Sequence, residues 1–186
     1  MSLRSSLAAV APTAAEVSAS RPGDDIVATS DAVMDRGFTV PGAPDSVWPW
    51  IVQLGKDRAG WYLPHRVERL LPRGRRAARH LDPRWQSLAL GDVVPDWGGA
   101  EATFEVVLIS APTTLVYRSQ RGRVQLSWAI LLSEAAAAAS PGPRTRVHLR
   151  LRLGPLRRPW LADTVGDRFD LLTIAALAAG LGERLR

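Results

Sequence analysis

Between Thr145 and Leu153 the chain alternates without a break: Val147, Leu149, Leu151 and Leu153 share one parity, and Arg146, His148, Arg150 and Arg152 share the other. A period of two marks an extended strand, because successive side chains leave a strand on opposite faces. One apolar and one polar face describe a strand in an antiparallel sheet with the core on one side and water on the other. Such a strand needs neighbours and a cover for its apolar face. The rest of the chain must supply both.

The neighbours are legible. Thr103–Ser110 places Phe104, Val106 and Leu108 together, Thr114–Ser119 places Leu115 and Tyr117 together, and Val124–Leu132 aligns Val124, Leu126, Trp128, Ile130 and Leu132. Asp92–Pro95 reads as a short strand, and Asp31–Val40 as the first one, with Met34, Arg36, Phe38 and Val40 on one parity. The separators Ala111-Pro112-Thr113 and Gln120-Arg121-Gly122-Arg123 have hairpin length and turn chemistry. The longer Ser133–Arg144, with its alanine run, reads as a disordered hairpin tip.

The cover is helical. Pro44 suits a first helical position and Asp45 the electropositive first turn, so a helix should run from about Pro44 to the stop at Gly55 and kink at Pro49. A second short helix is expected around His65–Leu71, and residues 72–89 should be irregular. The only long helical pattern is Asp163–Leu185, where Phe169, Leu172, Ala176 and Ala179 form one face and Ile174, Leu177 and Leu181 a flank. Residues 1–23 lack any lasting period and read as a flexible tail before a domain at 24–186. Their apolar run ends at Pro12, too soon for a secretory leader, so a cytoplasmic location is expected.

Composition removes chemistries. No cysteine means no disulfide, thiolate metal site or cysteine nucleophile. Three histidines without ligand spacing offer no metal centre, and no phosphate loop or nucleophile elbow is present. Neither metal nor cofactor is expected. No apolar stretch is long enough to span a bilayer, so integral membrane association is not expected either. The net charge of +6 invites nucleic acid, but Lys56 is the sole lysine among 24 basic residues and no recognition motif accompanies the arginines. They read as a solvated basic surface, with His148 among them, and nucleic acid is not expected.

Several strings resemble a known group. Phe38-Thr39-Val40-Pro41-Gly42-Ala43-Pro44, then Val47-Trp48-Pro49-Trp50-Ile51-Val52-Gln53-Leu54-Gly55, Arg58-Ala59-Gly60-Trp61-Tyr62, Leu88-Ala89-Leu90-Gly91-Asp92 and Gly166-Asp167-Arg168-Phe169-Asp170 are similar to the SRPBCC superfamily. This is the START-like, birch-pollen-allergen-like group with polyketide cyclase/dehydrase-type members, and the likeness runs from Asp31 to the C-terminus. It implies an α+β helix-grip fold: a curved antiparallel sheet of six to seven strands around a long C-terminal helix, with two short helices after the first strand. It also implies an apolar cavity between sheet and helix. No catalytic string is shared across the group, so no reaction is carried over.

Within that frame the cavity should be walled by Phe104, Tyr117, Trp128 and Leu149 from the sheet and by Phe169, Leu172 and Ala176 from the helix. Trp50, Trp61 and Tyr62 should close its mouth. Gln53 and the inward-parity Arg36 are candidate polar handles, Arg36 for a ligand carboxylate or phenolate. Asp92 and Glu105 are expected in turn and solvated roles, and Asp96, before Trp97-Gly98-Gly99, sits on a tip able to overhang the cavity. The expected activity is binding of a small hydrophobic or amphipathic, lipid- or polyketide-like molecule. A cyclase or dehydratase using the same cavity is the alternative, and a surface interaction module built on the basic 66–84 stretch is a third reading.

Overall fold

The computed structural model describes residues 9–99, 101–136, 142–158, 160 and 162–186, with residue 163 described by its backbone. In chain order the elements are helix α1 (Ala14–Ser18), strand β1 (Ala32–Pro41), helix α2 (Pro44–Gln53), the single turn α3 (His65–Glu68), strands β2 (Val93–Pro95), β3 (Thr103–Ser110), β4 (Thr114–Arg121), β5 (Val124–Glu134) and β6 (Arg144–Gly154), and helix α4 (Asp167–Arg184). Two 3-10 turns, Arg73–Arg75 and Pro83–Trp85, punctuate the arginine-rich stretch, and one π turn, Ala162–Gly166, leads into α4. The expected hairpin tip between β5 and β6 falls partly on residues 137–141, outside the described residues.

Among the described residues the six strands form one curved open sheet in the order β1-β6-β5-β4-β3-β2, every neighbouring pair antiparallel. This is the helix-grip architecture. The alternation of β6 sets the inner face: Leu149 pairs with Arg36 and Ile130, and Leu151 with Met34 and Trp128. Phe38, Val106, Leu115, Ile130 and Val147 are buried there against Val47 and Ile51 of α2 and against Ile174, Leu177 and Leu181 of α4. Burying such side chains contributes about 1.5–3 kcal/mol each, the main term favouring the fold.

Two features move expected positions: a bulge in β3 and the face that α4 buries. Val107 is an extra residue in β3, because Val106 pairs with Tyr117 while Leu108 pairs with Val116. The bulge switches parity, so Leu108 turns outward and Ile109 joins the core. Helix α4 presents Ile174, Leu177 and Leu181 to the sheet, not the expected Phe169–Leu172–Ala176 face; Phe169 and Leu172 are 70% and 51% exposed. Alanine on every side of this helix left the sequence without a dominant stripe. The helix ends tight: a Cβ at Gly180 would lie 2.6 Å from the Tyr62 carbonyl carbon, so only glycine permits that approach. Arg184 then pins the end, its guanidinium 4.5 Å above the Tyr62 ring and 2.5 Å from Glu68 Oε1.

The largest correction concerns the outer face. It is not wet across β1 and β6, because residues of the 9–31 segment are packed against it. Thr13 caps α1 in a reciprocal capping box with Glu16, and the segment 9–31 lies across the sheet as a strap. Val10, fully buried, accepts a hydrogen bond from Gly37 N–H of β1. The arginines read as solvated hold the strap instead. Arg146 pairs with Glu16 at 2.7 Å, and Arg152 donates to Val27 O and Ala28 O. Arg150 donates to Glu16 O, Val17 O, Ala19 O and the Asp24 carboxylate. Beneath it Asp35 Oδ1 lies 2.8 Å from both Arg150 Nε and His148 Nε2. His148 is therefore buried and not a surface residue. Gly37 has a steric reason: a Cβ there would collide with the Arg146 guanidinium.

Candidate functional site

Under the first turns of α4 the inner face is aromatic. Phe104 of β3, Tyr117 of β4 and Trp128 of β5 point inward from adjacent strands. Tyr117 and Trp128 stack at 5.8 Å and 21°, and Phe104 leans on both at 5.8 and 5.7 Å. Trp61, from the loop after α2, stacks on the other side of Trp128 at 6.2 Å and 26°. The Trp61 ring is oriented by its indole N–H, which donates to Thr173 O of α4 at 3.2 Å. Trp97 meets Trp61 edge-on at 6.0 Å and stays 53% exposed.

This stack floors a cleft of about 190 Å³ between the sheet and the first turns of α4. Trp61, Phe104, Leu126, Trp128, Leu151 and Ile174 form its apolar wall, and Asp96, Arg121, Asp170 and Thr173 its polar part. A void of about 30 Å³ continues behind it, bordered by Gly55, Val94, Phe104, Tyr117 and Trp128. The cleft is smaller than the roughly 300–1,000 Å³ usual for drug-sized ligands, so it suits a small, flat molecule. A larger hollow of about 530 Å³ lies on the outer face, where Ile26 of the strap borders Glu105, Arg118 and Gln125. Its lining is mostly polar side chains and its Arg118–Glu105 pair is exposed, which argues against it as a site for an apolar ligand.

Two ion pairs organise the polar part. Arg121 spans to Asp96 and covers Phe104, its guanidinium 5.3 Å from the ring centre. Asp96 thus overhangs the cavity as expected. The second pair comes from Arg36, whose side chain does point inward from β1. Its guanidinium is already committed, however: it lies 2.5 Å from Asp167 Oδ1 and 2.9 Å from Asp170 Oδ2, and it donates to Asp35 O and Asp167 O. Arg36 thus serves α4 and is not part of the cleft lining. Burial raises the Asp170 carboxyl to about 6 and the neighbouring Asp167 adds to the effect; Arg36 opposes both without cancelling them. Burial also pushes the Tyr117 phenol well above its ordinary value, so it stays neutral.

Of the expected site residues, Trp61, Phe104 and Trp128 meet at the cleft and Tyr117 at the void behind it. Trp50, Tyr62 and Leu149 are buried core instead, with the Tyr62 hydroxyl donating to Trp50 O at 2.8 Å. Gln53 is fully buried, but its amide is spent on the 72–89 segment: it donates to His80 O and accepts from Asp82 N–H and the Gln86 amide. Phe169 and Leu172 face outward, and Ala176 does not line the cleft. Asp92 accepts from Ala89 N–H in the expected turn role. Arg121, Asp170 and Thr173 were missed, because their partners lie far away in sequence. An Asp in the first turn of the long helix facing an inward Arg on the first strand was the available signal.

No family model matches the chain, and no curated protein matches it in sequence. Solved structures do. A structural-genomics protein from Rhodobacter sphaeroides has 14% identity over 84% of this chain and 93% of its own, with a TM-score of 0.50. A Mesorhizobium loti protein has 15% identity over 83% and 99%, TM-score 0.48. A Polyketide_cyc-like protein from Corynebacterium glutamicum has 13% identity over 84% and 88%, TM-score 0.35. At such identity the likeness speaks to fold alone, the helix grip described above.

Proposed function

We propose that the cleft under the first turns of α4 binds a small amphipathic molecule with a flat apolar body. One observation carries this reading: an aromatic stack, Trp61–Trp128–Tyr117 flanked by Phe104, is left partly uncovered beside a rim of Asp96, Arg121, Asp170 and Thr173. Aromatic walls supply affinity by burying apolar area, and a few rim groups set orientation. A carboxyl near 6 changes charge near neutrality, so Asp170 suits a ligand hydroxyl or amine. A cleft binder gains stability by mass action, about 2.7 kcal/mol at a hundredfold excess of ligand over Kd. Thermal unfolding with 2-naphthol as probe should show an upward shift that Ile174→Phe, which fills the cleft, abolishes. An equal shift in both proteins would contradict the reading.

A second reading is favoured by the same carboxyl. A general base works best with a pKa near the operating pH, and Asp170 qualifies at about 6, because burial outweighs the opposing Arg36 beside it. The cleft would then be that of a cyclase- or dehydratase-type enzyme, holding a folded substrate against Asp170. Turnover lost in Asp170→Asn with binding kept would separate catalysis from carriage. The basic 66–84 stretch is less free than its composition suggests. Arg79 serves Glu68 and Glu183, Arg84 serves Asp82, and Arg76 serves the carbonyls of Leu71 and Arg69.

A further inference from the structure

The polar groups that line the cleft are unbalanced in what they offer a ligand. Those from α4 are acceptors. The Thr173 hydroxyl donates its hydrogen to the carbonyls of Phe169 and Asp170, which leaves its oxygen free to accept. The Asp170 carboxylate lines the cleft with 17% of its side chain exposed. Its nearest cation serves other groups better: Arg36 gives its aligned hydrogen bonds to Asp35 O, Asp167 O and Asp167 Oδ1. Arg36 Nε lies 2.9 Å from Asp170 Oδ2 but is poorly aligned, so that oxygen is buried without a hydrogen bond among the described residues. The donor in the lining is already engaged. Arg121 is paired with Asp96, donates to Ser119 Oγ and rests on Phe104.

The charges are unbalanced in the same direction. Asp96 and Arg121 cancel, whereas Asp167 and Asp170 share the one guanidinium of Arg36. A partly buried charge without a full partner is unfavourable, and a ligand that supplies the partner relieves it. The raised Asp170 carboxyl, near 6 through burial with Asp167 adding to it, reflects the same deficit, which a proton fills when no other cation does. A ligand carboxylate would face this acceptor side with repulsion. A hydroxyl brings one donor to it, and a primary ammonium brings three together with the missing charge. We infer that the cleft is selective for organic cations, taking a primary ammonium on a flat aromatic body. The ammonium donates to the Asp170 carboxylate and to Thr173 Oγ, while the body lies against Trp61, Phe104 and Trp128. The inference rests on the cleft being a ligand site and adds the charge that its ligand carries.

Calorimetric titration at about pH 7.5 with probes of one shape tests this: 2-naphthylmethylammonium, 2-naphthylmethanol and 2-naphthoate. The ammonium should bind about tenfold more tightly than the alcohol, the effect of one charge-assisted hydrogen bond in a partly exposed site, and the carboxylate should bind least. The chain's net charge of +6 works the other way, so unspecific attraction would favour the carboxylate. Asp170→Asn should bring ammonium and alcohol to within about twofold of each other, and Thr173→Val should narrow the gap about threefold through the lost acceptor. Each ratio is read within one protein, so a loss of stability in a variant does not imitate the effect. An alcohol that binds wild type as tightly as the ammonium, or a gap that survives in Asp170→Asn, overturns the selectivity and leaves the cleft a ligand site. No binding by any of the probes overturns both.

Discussion

Replacing Arg150 by alanine should be the most damaging change outside the apolar core. Arg150 is 4% exposed, and its guanidinium spans the outer face. It holds Asp35 at 2.8 Å, Asp24 at 2.9 Å and the carbonyls of Glu16, Val17 and Ala19 at 2.8–2.9 Å. Without it Asp35 keeps only His148, and three strap carbonyls lose a donor. Removing one partner of a buried ion pair costs about 3–5 kcal/mol, because the remaining charge is stranded. A domain of this size has only about 5–15 kcal/mol in total. Urea unfolding should therefore show the midpoint falling steeply, and limited proteolysis should cut the 9–31 segment early. Arg150→Lys keeps the charge but loses the fork, so it should fall between. A loss below about 1 kcal/mol, with the strap still protected, would refute the claim that this network fastens it.

Other consequences can be checked separately. Gly180→Ala puts a methyl 2.6–2.7 Å from the backbone of Tyr62 and Leu63 and should cost about 1–3 kcal/mol in urea unfolding. Burial alone would raise the Glu16 carboxyl, but Arg146 and the Thr13 N–H hold it down at about 2. Its contribution is therefore complete above its ordinary value near 4.5 and lost as the pH falls toward 2. Proteolysis of the strap should rise through that window, and Glu16→Gln should flatten the rise. For Asp170, raised to about 6, the sign reverses: the folded state gains stability as the pH falls from above 6 toward 3.8. Thermal midpoints of Asp170→Asn and wild type should accordingly converge or cross on acidification, measured from pH 7 to pH 4 against a buffer series.

The inner face was largely legible, because β6 alternates over its full length and fixes the parity of every strand paired to it. Phe104, Tyr117 and Trp128 follow from that parity. The outer face was misread for a physical reason: alternation reports which side is polar, not whether that side is covered. Arginines can be buried when carbonyls and carboxylates meet all their donors, as at Arg150. The signal for a cover was present in Thr13 and Glu16, which have the spacing of a capping box. Helix α4 was misoriented because alanines leave its apolar residues on several sides. Its buried face is decided by what it meets: Gly180 against the 62–63 backbone at one end, and Arg36 at the other.

The indole N–H resonances provide the most direct test, since the chain holds seven tryptophans and only Trp61 and Trp128 line the cleft. Titrating 2-naphthol into nitrogen-15-labelled protein should shift the Trp61 and Trp128 signals saturably. Trp97, edge-on to Trp61, should follow weakly, while Trp48, Trp50, Trp85 and Trp160 stay in place. Uniform small shifts of all seven, or none at any concentration the protein tolerates, would contradict a ligand site beneath the start of α4.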